Sequence, residues 1–432
     1  MLPETTRQID QTVAARQSAG RAPSLIAAVV RDGTLAHVSG AGETPAPTPD
    51  TQYRIGSISK TLTAALILRL RDEDRLSLDD LLYRYLPGTP VGGLTIRHLL
   101  AHLSGLRREP AGEWWERSPG VPVDQLLSAL TPEMAAYPPQ HTYHYSNLAY
   151  GLLGAVAERI AGEPWSELIG KRLLGPLDMP RTTYHPAEPF ARGYVVHPWQ
   201  GTLHEEPRHD SGAMAPAGQL WSTPADLAKW AAFLAGSATG PEVLAPGSVA
   251  QMCAPVAIAD PDRWTAGHGI GLQLWRHGER VYVGHTGSMP GYLAALVVHR
   301  PSRTGVVAFA NAYSLVGAPL LALAVSVLET VLDREPVPVV PWRPGVEPPP
   351  EVAPLTGRWW WMGREFEVAW DGELVMYPLA NRAERWRFTP DGTDRWRCHS
   401  GMNDGEILAV QRAPEGTVAA LDVATFVFTR SP

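Results

Sequence analysis

A serine and a lysine stand three residues apart in Ser57-Ile-Ser-Lys60, the spacing that puts two side chains on one face of a helix. Lys60 Nζ is then within reach of Ser57 Oγ. The stretch that follows, 61–70, is apolar nearly all round, as a helix is when it is buried in the core of a large domain. An amine carried into such a core loses its water, which favours the neutral form, and a neutral amine takes a proton from a hydroxyl. The chemistry implied is an activated serine nucleophile. Lysine is also scarce: Lys60, Lys171 and Lys229 are the only three among 37 lysines and arginines. Arginine stays protonated and does not serve as a base, so one of the few exceptions to an arginine habit falls where a base is needed.

Two further segments supply what this pair lacks. The turn-rich run Pro138-Pro-Gln-His-Thr-Tyr-His-Tyr145-Ser-Asn147 ends just before an apolar helical pattern that begins near Leu148. Tyr145 and Asn147 therefore sit at a loop-to-helix junction, where side chains face a cleft, and a phenol there can share a proton with Lys60. His285-Thr286-Gly287-Ser288 precedes Pro290-Gly291 and a strand-like run over 293–299. Gly287 lets an extended ligand approach the backbone closely, as an edge strand that pairs with substrate requires.

Ser57-Xaa-Xaa-Lys60, Tyr145-Ser-Asn147 and His285-Thr-Gly287, in this order, resemble the three active-site motifs of the class C β-lactamase and low-molecular-weight penicillin-binding protein family. The likeness extends to Leu99-Leu-Ala-His102-Leu-Ser-Gly-Leu106, Pro176-Leu-Asp-Met179, Pro216-Ala-Gly-Gln-Leu220 and Gly291-Tyr292, and so covers roughly residues 10–333. The resemblance implies a covalent acyl-enzyme on Ser57, with Lys60 and Tyr145 sharing the general-base task. The backbone amides of Ser57 and Ser288 would form the oxyanion hole. Asn147, His285, Thr286 and Gly287 would bind substrate, and neither a metal nor an organic cofactor is implied.

Substrate choice turns on His285, which occupies the position of a lysine in many β-lactamases and so removes a permanent cation near neutral pH. A carboxylesterase or a D-amino-acid peptidase or amidase is expected ahead of a class C-type β-lactamase or a DD-carboxypeptidase. A non-catalytic penicillin-binding or scaffold protein is the alternative from another class, and the joint presence of Ser57, Lys60 and Tyr145 argues against it. The expected partner is a small-molecule ester, amide or β-lactam.

Composition excludes other functions. The chain has 432 residues and a net charge of −7, with no lysine or arginine block, which argues against nucleic acid. The first ten residues lack the apolar segment of a secretory signal, and no run of about 20 apolar residues exists, so a cytoplasmic protein without a membrane span is expected. Cys253 and Cys398 lack metal spacing and read as unpaired packing residues. His204-Glu-Glu-Pro-Arg-His209-Asp210 has no recognised ligand pattern and reads as a solvated loop. His102 is expected to brace the chain by hydrogen bonding.

The punctuation of the chain organises these residues. An apolar run over 24–39 is broken by Arg31-Asp-Gly-Thr34, a hairpin signature, and further strands span 282–311. Strands from both ends of the region must share one sheet. Between them lie helical patterns over 78–85, 96–102, 148–161 and 224–234, the last capped by Thr223 and opened by Pro224, and another helix is expected over 319–332. The expected fold is α/β, a β-lactamase-like antiparallel sheet flanked by helices with an inserted helical subdomain, over residues 1–335. A proline-rich linker over 336–353 follows. Beyond it, short alternating segments at 365–369, 374–377, 385–388, 395–398, 407–412 and 425–429 are separated by Asp-Gly and Glu-Gly turns, which predicts a small antiparallel, lipocalin-like barrel over 354–432. The tryptophans at 359–361, 370, 386 and 396 are expected to fill that barrel and to pack it, rather than to form a carbohydrate platform.

Overall fold

The hairpin forms where the turn residues place it: β1 (Ser24–Arg31) and β2 (Thr34–Gly42) join through Asp32 and Gly33, both with positive φ, the backbone that a two-residue hairpin turn demands. The computed structural model describes residues 1–42, 47–237, 243–337, 341 and 344–432. It divides into two compact units, Met1–Val337 and Pro338–Pro432.

In the first unit, six more strands complete an antiparallel sheet: β3 (Ala257–Ile258), β4 (Ala266–His268), β5 (Gln273–His277), β6 (Arg280–Met289), β7 (Tyr292–His299) and β8 (Thr304–Ala310). The order is β2-β1-β8-β7-β6-β5-β4-β3, so the N-terminal hairpin docks against the last strand, with Leu25 opposite Ala310 and Val30 opposite Gly305. Successive residues point to opposite faces. Ile26, Ala28 and Val30 face one core with Leu296 and Phe309, whereas Leu25, Ala27 and Val29 face another with Val297 and Ala308. Both faces are covered, which is why these strands read as continuous apolar runs rather than as alternating ones.

Two helices close one face: α1 (Pro3–Gly20) contributes Ile9 and Val13, and α5 (Leu320–Arg334) contributes Leu323, Val327, Leu328 and Val331. Each such aliphatic side chain stabilises the fold by about 1.5–3 kcal/mol. On the other face lie α2 (Ser59–Asp72), α3 (Asn147–Ala161) and α4 (Pro224–Ala235). Thr223 caps α4 as expected, its Oγ1 accepting from Asp226 N–H at 3.1 Å. The pattern over 78–85 gives no α-helix, only a 3₁₀ turn at Leu82–Arg84. The Asp80 carboxylate accepts from Ser77 N–H and Tyr85 O–H instead, local bonds that compete with helix formation. Among the described residues no helix is long and apolar enough to cross a membrane.

The second unit is a closed barrel of eight antiparallel strands, from Gly357–Trp361 to Phe426–Thr429, with Trp360 opposite Thr429 at the seam. Trp359, Trp386, Trp396, Phe366, Phe388 and Phe428 fill it, and the Arg430 guanidinium lies 3.8 Å from the Trp359 ring centre. Six of the eight strands match the expected segments; Gly357–Trp361 and Val418–Val423 do not announce themselves by alternation. Part of the proline-rich stretch, residues 338–340 and 342–343, lies outside the described residues. Cys253 and Cys398 are both free and buried.

Candidate active site

Between residues 51 and 68 every side chain is buried except Ser57. It sits in a 3₁₀ turn, Gly56–Ile58, that leads into α2. Gly56 enables this placement in two ways: its φ of +51° is left-handed, and an added Cβ would lie 2.6 Å from Ser288 N. Gly287 meets the same turn, since a Cβ there would lie 1.9 Å from Ile55 O. The turn bearing Ser57 and the strand bearing Ser288 are therefore in backbone contact.

Lys60, one helical turn on and fully buried, places Nζ 2.9 Å from Ser57 Oγ and donates to Ala217 O at 2.6 Å. Burial pulls its pKa from 10.5 down to about 7, with Glu116 and Glu109 opposing and Arg108 assisting. Tyr145 flanks the amine, its ring centre 5.1 Å from Nζ. Burial raises the phenol well above its ordinary value, and a hydrogen bond to Ser57 works against that rise. A near-neutral amine and a protonated phenol both touch one serine hydroxyl, which is the equipment for taking a proton from Ser57 and returning it.

These groups open onto a groove of about 470 Å³ lined by Ser57, Arg108, Glu116, Tyr143, Tyr145, Asn147, Gln273, Thr286, Gly287, Ser288 and the first residues of α5. Strand β6 pairs with β5 only from Arg280 to Gly284. From His285 to Ser288 it pairs with β7 alone among the described residues, so its other edge carries no strand among them. Thr286 is steadied there, its N–H and Oγ1 both bonding Gln273 Oε1, at 3.0 and 3.2 Å. His285 does not face solvent: it is 1% exposed, its Nδ1 lies 2.5 Å from Thr286 O, and burial with the nearby Lys60 holds its pKa well below the ordinary value. The groove thus has no fixed cation at this position.

Asn147 opens α3 and turns its Nδ2 to the Glu109 carboxylate, 2.8 and 3.0 Å from the two oxygens. A carboxylate only accepts, so the amide orientation is set by chemistry, and Asn147 Oδ1 is left without a partner among the described residues. Trp115 Nε1–H donates to the same carboxylate at 2.7 Å. His102 braces the loop as expected, accepting from Ser146 N–H at 3.0 Å. Of the residues expected at the site, Ser57, Tyr145, Asn147, Thr286, Gly287 and Ser288 line this groove and Lys60 bonds Ser57 from behind, whereas His285, expected to bind substrate, is buried and does not line it, its ring held by the Thr286 carbonyl. Four others were not signalled by motif: Glu109, Glu116, Gln273 and His268. Glu116 is the most unusual, for burial and the nearby Glu109 raise its carboxyl to about 7, and it makes no ion pair among the described residues. The run His204 to Asp210 forms no metal cluster among the described residues.

Residues 9–325 match the β-lactamase family. The chain belongs to that family, serine hydrolases that share the penicillin-binding-protein fold. Residues 348–430 match a second family, described as a domain of unknown function (DUF7586). A human protein named putative β-lactamase-like 1 is 30% identical over 382 residues, which cover 83% of this chain and 74% of that protein. The solved structure of a D-stereospecific amidohydrolase from Streptomyces sp. is 25% identical, covers 75% of this chain and 98% of its own, and superposes with a TM-score of 0.64. That of SurE with D-Leu is also 25% identical, covers 99% of this chain and all of its own, and has a TM-score of 0.63.

Proposed function

We propose that this hydrolase cleaves amides or esters of amine-bearing substrates of the D-amino-acid type through an acyl-enzyme on Ser57. The observation that carries the reading is the pairing of the Ser57–Lys60–Tyr145 cluster with the unpaired Glu116 carboxylate in the same groove. Lys60 accepts the Ser57 proton as Oγ attacks the substrate carbonyl. Tyr145 delivers its proton to the departing amine or alcohol and takes in its place the proton held by Lys60, so both are restored before water, deprotonated by the same pair, releases the acid. The amides of Ser57 and Ser288 receive the oxyanion. Asn147, its Nδ2 turned to Glu109, flanks the acyl side of the groove.

Glu116 is ionised above about pH 7, and the α-amine of an amino-acid derivative stays charged up to about 7.7–8.0, so the two attract each other most strongly between those values. A buried, neutral His285 offers nothing to the carboxylate that β-lactams and DD-carboxypeptidase substrates carry, and Arg108 on the groove is already paired with Glu109 at 3.1 Å, which ranks those activities lower. The likeness to a D-stereospecific amidohydrolase points the same way.

The test is a panel of D- and L-amino-acid amides, p-nitrophenyl acetate and nitrocefin, run on wild type and Glu116→Gln. The expected result is preference for a D-amide, and a KM for it that rises roughly tenfold in Glu116→Gln with the KM for p-nitrophenyl acetate unchanged. Faster turnover of nitrocefin than of any amide or ester, or equal effects of Glu116→Gln on charged and neutral substrates, overturns the reading.

A further inference from the structure

Thr286 stands just past the point where the ladder between β5 and β6 stops, with Gln273 opposite Gly284. An open strand edge there would offer the Thr286 amide to an extended substrate. Gln273 takes that amide instead: its Oε1 accepts from Thr286 N–H at 3.0 Å and lies 3.2 Å from Thr286 Oγ1. A backbone N–H only donates, so the oxygen end of the Gln273 amide is fixed by chemistry and its Nε2 is turned elsewhere. Gln273 lines the groove, and its Nε2 has no hydrogen-bond partner among the described residues.

A second donor stands beside it. Tyr143 also lines the groove, its ring wedged against His102, 6.0 Å between centres at 87°, and against His268, 5.7 Å at 35°. His268 lies directly opposite Gln273 in the ladder of β4 and β5, and residues opposite one another share a face of the sheet. The phenol and the amide are thereby gathered at one end of the groove. Burial raises the phenol well above its ordinary value, so its O–H stays a donor, and it makes no hydrogen bond among the described residues. Neither Tyr143 Oη nor Gln273 Nε2 is sealed from solvent. Arg108, whose charge reaches Tyr143, is paired with Glu109 at 3.1 Å. The Thr286 end of the groove therefore offers neutral donors and no unpaired cation among the described residues.

We propose that Gln273 and Tyr143 are specificity-determining residues that donate to the carbonyl of an amide carried by the leaving group. A carbonyl oxygen has two lone pairs and accepts from either donor or from both. A carboxylate brought to the same place would give up its water with no cation to receive it. The inference rests on the acyl-enzyme reading, in which Glu116 receives the amine of the acyl part and the leaving group lies at the Thr286 end. It adds the class of leaving group, an amine or alcohol that bears a neutral amide.

The experiment uses the full chain and two substrates with one acyl group. D-alanyl-glycinamide has a leaving group that carries a carbonyl, and D-alanyl-propylamide has one that does not. The ratio of kcat/KM for the two is measured in wild type, Tyr143→Phe and Gln273→Glu. Phe keeps the ring against the histidines and loses the O–H; Glu keeps an oxygen for Thr286 and turns the donor into an acceptor. Intrinsic reactivity differs between the substrates but is common to the three proteins, and a general loss of activity cancels in the ratio. The ratio is expected to fall roughly threefold in Tyr143→Phe and roughly tenfold in Gln273→Glu. An unchanged ratio in either variant overturns the proposal, as does faster cleavage of D-alanyl-glycine than of D-alanyl-glycinamide by the wild type. The acetate esters of glycolamide and of propanol repeat the comparison without an amine. Turnover of these esters with none of any D-alanyl substrate overturns the D-amino-acid reading alone, and the ester ratios then decide this proposal by the same criterion. No turnover of either series overturns both.

Discussion

Lys60 is placed where chemistry gains and stability loses. The folded pKa of about 7 lies below the ordinary 10.5, so between those values the unfolded chain holds a proton that the folded chain lacks. Stability then rises with pH across that window, and the full cost of burying the amine is felt below about pH 7. Lys60→Met is expected to raise Tm at pH 6 and to change it little at pH 10, in thermal unfolding of both proteins at each pH. Activity follows the same direction of pH while requiring the amine itself. The base must be unprotonated, so labelling of Ser57 should fall as pH drops through about 7, and Lys60→Ala should cut turnover by roughly 10²–10⁴. Ser57→Ala should remove labelling altogether, as intact-mass measurement would show. Labelling that persists in Ser57→Ala, or an acid limb more than a unit from 7, would count against the assignment.

At the scale of elements, the site depends on a contact that only glycine permits. Strand β6 meets the turn Gly56–Ile58 so closely that a Cβ on Gly287 would lie 1.9 Å from Ile55 O, and a backbone carbonyl has no room to yield. Gly287→Ala is expected to part the strand from the turn, to slow fluorophosphonate labelling by roughly 10²-fold and to lower Tm. Gly93→Ala, where a Cβ meets nothing within 4 Å, is the control and should match wild type in both measurements. The motifs that carry Ser57, Tyr145 and His285 were legible in the sequence because local spacing and turn chemistry place them. The helices α3, α4 and α5 were legible from apolar pattern and, for α4, from Thr223. What was not legible is long-range. Glu109 and Glu116 lie in a loop with no motif, and they matter because Asn147 and the groove are brought to them by the fold. His268 ends a three-residue strand, and its neighbours His102 and His285 lie at least 17 residues away in sequence. The 78–85 segment misled because its acidic side chain serves the local backbone rather than a helix.

At the scale of the whole molecule, catalytic and barrel units are separable in composition, and every group assigned to the reaction lies in Met1–Val337. The place to divide the chain is set by one residue. Glu335 accepts from the Leu2 amide at 2.7 Å and from Arg31 at 2.9 Å, tying the end of α5 to the first helix and to β1. A cut before it would free both partners and the carboxylate together. A chain of residues 1–337 keeps these bonds, and we expect it to fold and to be labelled at Ser57 at a rate within about threefold of the full chain. Solubility is a separate matter, since removing a unit can uncover apolar surface without removing a catalytic group. The measurements are circular dichroism, Tm and fluorophosphonate labelling of both chains side by side. A 1–337 chain with native Tm and no labelling would show that the barrel supplies part of the site, and the reaction would then belong to both units rather than to the first alone.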